Sequence, residues 1–327
     1  MHNGFCHTVK GASHETSGTP CQDYSAYRTY DRYSIAVVAD GHGSKKHFRS
    51  DVGSRCAVES AIETIEEFYS DPGFEDAMLA NHEDIIKRIE KQVIARWNDK
   101  IQEHFDLNPV TDKEKSPFTD EQFKELHTET FYGTTLIAAV MNELFTFGIQ
   151  IGDGSLVTIF DDGETDMPIM YQESAPANIT ASICNSNAID LFCSFFIDDK
   201  YPMAVYVSTD GLYTSFNSEY DFLDYHTIIT SRLADFDSFD PVILKNLTKR
   251  AHYGTQDDIS ISCVYDEDAV EDSIDIIQQA VESNKQRALS RKAEELANIE
   301  KQRLKMAMAK SRHIVYQDNE DDDEDED

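Results

Sequence analysis

Apolar residues recur along this chain with two periods. Short runs rich in β-branched and aromatic residues fall at 33–39, 134–141, 144–151, 155–160, 203–208 and 259–265, and they predict strands. Asn142-Glu143 between two of these runs predicts a hairpin turn and Gly152-Asp153-Gly154 another, so three successive strands are expected to form an antiparallel meander. A period near four predicts helices elsewhere. Over 46–69, Val58, Ala61, Ile62, Ile65, Phe68 and Tyr69 make one apolar stripe. Over 82–105, Ile86, Ile89, Val93, Trp97, Ile101 and Phe105 make a second. The two helices meet at Asp71-Pro72-Gly73, which predicts an antiparallel pair on a sheet face. Further helices are expected over 217–231 and 239–253. Residues 106–120 carry Pro109, Pro117 and many charges, the composition of a surface insertion.

The pattern changes beyond about residue 267. Residues 270–312 contain no Gly or Pro and are built from good helix formers. Leu289 and Leu296 are seven apart, but Arg303 takes the next position, which favours one long, partly exposed helix over a coiled coil. Residues 285–312 hold nine Lys or Arg against three Glu. Such a basic stretch is either a solvated helix or an arm that engages the acidic catalytic domain or an acidic partner. Residues 317–327 carry nine acids and no base and are expected to be disordered. The expected organisation is a catalytic domain over 1–266, a helical extension over 267–316 and an acidic tail over 317–327.

Composition narrows the function classes. With 327 residues, 40% hydrophobic, 18 Phe and 15 Tyr, the chain has enough to bury a sizeable core. No stretch approaches the ~20 apolar residues of a membrane span, so no membrane partner is expected. Met1 to Cys6 shows neither a basic region nor an apolar stretch, so no secretory signal is expected. Six cysteines without CxxC spacing read as buried or incidental thiols and make a reduced cytoplasm the expected location. The net charge of −33, still −24 once the nine acids of the tail are set aside, argues against nucleic acid as a partner.

The candidate chemistry lies in five acidic segments: Gln22-Asp23, Asp40-Gly41-His42-Gly43, Gly152-Asp153-Gly154, Ser208-Thr209-Asp210-Gly211 and Asp257-Asp258-Ile259-Ser260. Asp40, Asp153 and Asp210 each end an apolar run, and Asp257 precedes one. Carboxylates at strand ends beside glycines are where a rigid sheet presents oxygen ligands to a hard cation. Oxygen-rich sets suit Mg²⁺ or Mn²⁺ rather than zinc.

These segments, together with Pro20-Cys21-Gln22-Asp23, Tyr132-Gly133-Thr134-Thr135 and Gln256-Asp257-Asp258, resemble in order the metal-dependent protein phosphatases of the protein phosphatase 2C type, bacterial branch. The resemblance runs from Gly11 to about Tyr265. It implies an α+β fold, an α-β-β-α sandwich of two antiparallel sheets flanked by helices, to which this chain adds the C-terminal helical extension. It implies two Mn²⁺ or Mg²⁺ ions held by Asp40, the Gly41 carbonyl, Asp210 and Asp257, with Asp23 close by directly or through water. Asp153 matches the carboxylate of a third, weaker metal. Asp258 is the less favoured member of its pair. His42 matches the family's proton donor to the leaving alkoxide, a role suited to an imidazole. In that chemistry two cations neutralise the phosphoryl oxygens and activate water, so no cysteine nucleophile is needed.

Two departures stand out. Gly154-Ser155 occupy the place where the family often has Ser-Arg. Gly11 to Asp23 contains no arginine, where relatives often place one to grip substrate phosphate. His14, Thr16, Lys10, Arg28 and Arg49 are the candidates to replace it. The expected function is a serine/threonine protein phosphatase acting on phosphorylated proteins opposite a partner Ser/Thr kinase. A hydrolase of small phosphate metabolites or nucleotides, and a non-catalytic binding module on the same fold, are the alternatives. The oligomeric state is not read from the sequence.

Overall fold

Strand Tyr33–Asp40 alternates strictly. Ile35, Val37 and Ala39 enter one apolar cluster, and Ala36 and Val38 enter another on the opposite face. A strand buried on both faces needs a packed layer on each side, and the architecture supplies them. A computed structural model of the protein describes residues 1–169 and 180–320, with side chains as far as Met306.

The first third of the chain runs β1 (His2–Val9), α1 (Ala12–Ser17), β2 (Asp23–Thr29), β3 (Tyr33–Asp40), α2 (Ser50–Tyr69) and α3 (Phe74–Leu107). Three short helices follow, α4 (Asp112–Lys115), α5 (Asp120–Lys124) and α6 (Thr128–Phe131). Then come β4 (Leu136–Asn142), β5 (Thr146–Ile151), β6 (Ser155–Phe160), β7 (Thr165–Asp166), α7 (Ala188–Leu191), β8 (Cys193–Ile197) and β9 (Pro202–Ser208). The last part holds α8 (Asp210–Tyr213), α9 (Glu219–Thr230), α10 (Phe236–Tyr253), β10 (Ile259–Asp266), α11 (Glu267–Asp272) and α12 (Ile274–Glu320).

One sheet has the order β1-β10-β9-β6-β7 and the other β2-β3-β4-β5-β8, with every pairing antiparallel. Ala36, Val38, Ile137, Ala139, Leu156, Val205, Val207 and Val264 fill the space between them. Helices α2 and α3 cover the second sheet as an antiparallel pair. Trp97 is fully buried there and donates its indole N–H to the Gly53 carbonyl at 3.0 Å, which joins the two helices. Helices α9 and α10 cover the first sheet, burying Phe222, Ile229, Ile243 and Leu247 against Tyr206, Ile259 and Ile261.

Three expectations need correction. The meander does not form: β4 and β5 pair as expected, but β6 pairs with β9 and β7 in the other sheet. Gly152-Asp153-Gly154 is therefore a crossing between sheets. Gly152 has φ +111°, which a side chain would resist, and a Cβ there would press on Thr135. The predicted helix over 82–105 begins earlier, at Phe74, with a break in helical geometry at Asn81. Strands β1, β2, β7 and β8 are absent from the expected elements.

The chain divides into two units, Met1–Gln278 and Gln279–Asp327. Within the first, Val270 of α11 and Ile277 at the start of α12 are buried with the sheet residues Tyr206 and Tyr265. In the second, Leu289, Leu296, Leu304 and Met306 are exposed. Helix α12 continues to Glu320; the rest of the acidic run lies outside the described residues. Among the described residues no helix is long and apolar enough to cross a membrane.

Candidate metal centre and its cleft

The sheets bring the acidic segments to one end of the sandwich. Asp40 ends β3 opposite Asp23, the first residue of β2. Asp210 follows β9, Asp257 precedes β10, and Asp153 sits on the crossing between β5 and β6. Asp40, Gly41, His42, Asp153, Asp210 and Asp257 line one cleft of about 390 Å³. The Asp40 and Asp210 carboxyls lie within a hydrogen bond of each other. Burial, and after it the charges of Asp23 and Asp210, hold the Asp40 carboxyl well above the usual range. Burial and then the charge of Asp153 raise Asp210 to about 6. Carboxylates that repel one another in a low-dielectric cleft are stabilised by a multivalent cation more than by any other partner.

Backbone contacts hold this arrangement in place. The Asp40 carbonyl accepts from Thr134 Oγ1 and the Thr135 amide, both at 2.8 Å, while the Asp40 amide donates to Thr135 Oγ1 at 3.0 Å. Gly41 donates to the Gln22 carbonyl at 3.0 Å, and a Cβ on Gly41 would come within 2.6 Å of the Ser50 carbonyl oxygen. Only glycine lets the backbone lie so close. Asp257 follows Gln256, which adopts φ +64°, a left-handed conformation uncommon without glycine. The Gln256 carbonyl accepts from the Ser13 amide at 3.0 Å and from Ser13 Oγ at 2.6 Å, so α1 pins this turn.

Asp23 and Asp258 sit differently from the cleft-lining carboxylates. Asp23 is buried, and its Oδ2 accepts the Thr209 hydroxyl at 2.7 Å. Burial, then the charge of Asp258, raise it well above the usual range. It does not line the cleft; it lies opposite Asp40 in the β2–β3 register and is bonded to Thr209, the residue before Asp210. Asp258 accepts the amides of Gly11 and Gln22, each at 2.7 Å. His14 Nδ1 also lies 2.9 Å from its Oδ2, close enough for an ion pair but out of line for a hydrogen bond. Those contacts make Asp258 a clasp between segments.

His42 borders both this cleft and a larger neighbour of about 970 Å³. Its amide donates to the Gly133 carbonyl at 3.0 Å, and its buried Nε2 has no hydrogen-bond partner among the described residues. Burial, with smaller contributions from His47 and Lys46, lowers the imidazole to about 4. The His47 ring lies 4.9 Å from it, anchored through Nδ1 on the Thr130 carbonyl.

Of the candidates to replace the missing arginine, Arg49 is buried and engaged. It pairs with Glu114 at 2.8 Å and donates to the Tyr132 hydroxyl at 2.9 Å, clamping the 108–127 insertion to α2. Arg28 donates to its neighbour Tyr27 on β2. Neither lines the cleft; His14 does. Sequence reasoning placed Thr135 and Thr209 within motifs but gave them no role, because their partners lie far away in the chain, and it singled out neither Ser13 nor Lys46.

The geometry fits a binuclear cation site in one respect and qualifies it in another. Four carboxylates, those of Asp40, Asp153, Asp210 and Asp257, line the cleft with hard oxygen donors. Among the described residues, however, no three His, Cys, Asp or Glu side chains converge on one point. Mg²⁺ commonly keeps several waters and takes one or two carboxylates, so ligands spread along a cleft suit it.

Residues 10–247 match the family model for protein phosphatase 2C, and the chain belongs to that family. The match ends before Asp257, whose assignment rests on its position in the cleft. No curated protein matches the chain significantly. Among solved structures, a bacterial serine phosphatase aligns with TM-score 0.53 at 12% identity, covering 81% of this chain and 98% of that one. An arginine-to-lysine variant of a bacterial serine phosphatase gives 0.51, also at 12% identity, with 81% and 96% covered. At such identity the likeness is one of fold.

Proposed function

We propose that this chain is a metal-dependent phosphatase of phosphoserine and phosphothreonine in proteins, acting opposite a Ser/Thr kinase. The observation that carries the reading is the meeting of Asp40, Asp153, Asp210 and Asp257 on one cleft beside His42, whose Nε2 has no hydrogen-bond partner among the described residues. Asp40, the Gly41 carbonyl, Asp210 and Asp257 would hold two Mn²⁺ or Mg²⁺ ions, with Asp153 serving a third. Bound there, such ions supply charge neutralisation for phosphoryl oxygens and acidify water. Asp23, opposite Asp40 in the sheet and tied to Thr209, steadies the backbone that carries Asp40 and Asp210.

His42 is the group that meets the leaving alkoxide. Its burial works against the protonated form while the cleft is empty. A phosphate dianion beside the ring exerts the opposite field and favours the imidazolium, which then gives its proton to the departing oxygen. The larger cleft on the far side of His42 has room for the residues flanking a phosphorylated side chain. That space favours a peptide over a small metabolite.

The test is turnover of a phosphothreonine peptide, of p-nitrophenyl phosphate and of nucleotides, each with and without Mn²⁺ or Mg²⁺. Metal-dependent release of phosphate from the peptide supports the reading. Faster turnover of nucleotides would replace it with metabolite hydrolysis, and metal-insensitive inactivity with a binding module.

A further inference from the structure

Among the described residues, the larger cleft is lined by one lysine. Lys46 lines it together with His42, His47, His127, Asn98, Asn185 and Glu129, and the cleft shares His42, Gly43 and Thr180 with the carboxylate cleft. Lys46 sits in the short turn that carries the chain from Gly41 to α2. That turn is held by the His47 amide on the Ser44 carbonyl at 2.8 Å and by the Ser50 amide on the His47 carbonyl at 3.1 Å. With His47 buried and bonded to Thr130, the exposed Lys46 is carried on a fixed stretch of backbone.

Nearby cations are already engaged. Arg49 holds Glu114, Lys45 lies over the Phe118 ring at 5.5 Å, and Lys87 holds Glu90 at 2.9 Å. Lys46 makes no ion pair among the described residues, although Glu129 lines the same wall. Its charge reaches His42 and His47. Lys46 lines the larger cleft and not the one lined by Asp40, Asp153, Asp210 and Asp257, and His42 borders both. An unpaired ammonium there has one complementary ligand class, a second anionic group on the substrate. In a protein of net charge −33, this lysine is a local reversal of a field that otherwise repels acidic peptides.

We propose that Lys46 selects phosphosubstrates with a second anionic group, a carboxylate or another phosphate, next to the phosphorylated residue. The inference rests on the phosphatase reading and deepens it. The full-length protein would be compared with Lys46→Met and Lys46→Glu on phosphothreonine peptides flanked by Glu, by Gln, by Lys or by a second phosphothreonine. Peptide affinity would be read separately by fluorescence anisotropy. The unmodified protein should favour Glu-flanked over Gln-flanked peptide by about fivefold in kcat/KM, the scale of one partly exposed ion pair, mostly through KM. The doubly phosphorylated arm tells whether a dianion is preferred to a carboxylate. Lys46→Met should erase the preference and Lys46→Glu reverse it, with turnover of p-nitrophenyl phosphate unchanged in both. A preference that survives Lys46→Met, or no preference for anionic flanks in the unmodified protein, would overturn the proposal. If no peptide is hydrolysed, the phosphatase reading fails, and anisotropy still decides whether Lys46 selects anionic flanks.

Discussion

Thr209 Oγ1 donates to Asp23 Oδ2 at 2.7 Å and accepts from the Ser260 amide at 2.8 Å. One hydroxyl thereby ties the end of β9 to β2 and β10, immediately before Asp210. Replacing it with the near-isosteric valine, Thr209→Val, leaves a buried amide and a buried carboxylate short of a partner. The expected cost is about 1–3 kcal/mol of stability, together with weaker Mn²⁺ binding. Thermal unfolding and metal titration measure the two effects; an unchanged Tm and unchanged affinity would remove Thr209 from this role.

Asp40→Asn should lower turnover by at least about 100-fold, since it weakens the carboxylate set that would hold the cations. Because Asp40 is half-buried among like charges, its loss should leave the apo protein as stable or more so. Melting curves without metal, set beside phosphopeptide turnover with Mn²⁺, decide this. Near-normal manganese affinity and rate would count against the assignment.

His42→Gln should reduce turnover of a phosphoserine peptide more than that of p-nitrophenyl phosphate. A serine alkoxide needs a proton as it leaves, whereas p-nitrophenolate departs without one. We expect about a tenfold or larger gap between the two losses, within the range of general acid catalysis. Equal losses at unchanged metal occupancy would rule out proton donation.

His226 predicts how stability depends on pH. It is fully buried against Tyr206, Phe222 and Tyr225, with Nδ1 on the Phe222 carbonyl at 2.8 Å, and burial lowers it from 6.5 to about 4. As pH falls through 6.5 the unfolded chain takes up a proton that the folded chain refuses. Stability is therefore complete above that value and lost progressively toward pH 4, by about 3 kcal/mol in all at ~1.4 kcal/mol per pKa unit. His226→Leu should flatten this slope. Denaturant unfolding at pH 7, 6, 5 and 4 for both proteins tests it, and parallel slopes would refute it.

Truncation tests where the first unit ends. Cutting after Gln278 should leave Tm within about 2 °C, because the exposed remainder of α12 contributes no described core residue. Cutting after Asp266 removes the buried Val270 and Ile277 and should cost at least about 2–4 kcal/mol. Equal melting temperatures for the two truncations would show that α11 adds nothing to the core.

Some elements could be read from residue order because their physics is local. Tyr33–Asp40 alternates between two apolar faces over its whole length, and the stripe from Ile86 to Ile101 keeps helical spacing for four turns. Strands His2–Val9 and Asp23–Thr29 escaped notice because few of their residues are buried, so their patterns look polar. Their pairing depends on β10 and β3, which are distant along the chain or contribute the apolar face themselves.

The sequence by itself determined which residues could carry the chemistry. Asp40, Asp210 and Asp257 adjoin apolar strands, and an aspartate beside glycine at a strand end, as at Asp40-Gly41 and Asp210-Gly211, is a local signal. Tertiary structure alone decided how they divide the work. Asp257 and Asp258 are adjacent, yet only Asp257 lines the cleft, because the amides of Gly11 and Gln22 claim Asp258 from more than two hundred residues away. Gly152-Asp153-Gly154 looks like a hairpin until the next strand is seen to pair in the other sheet. Arg49 and Lys46 are equally plausible cations in one dimension. In three, Glu114 and Tyr132 bury the first, while the second keeps its charge facing a cleft. Strand propensity and turn chemistry act over a few residues, whereas burial and charge pairing depend on what the folded chain brings alongside.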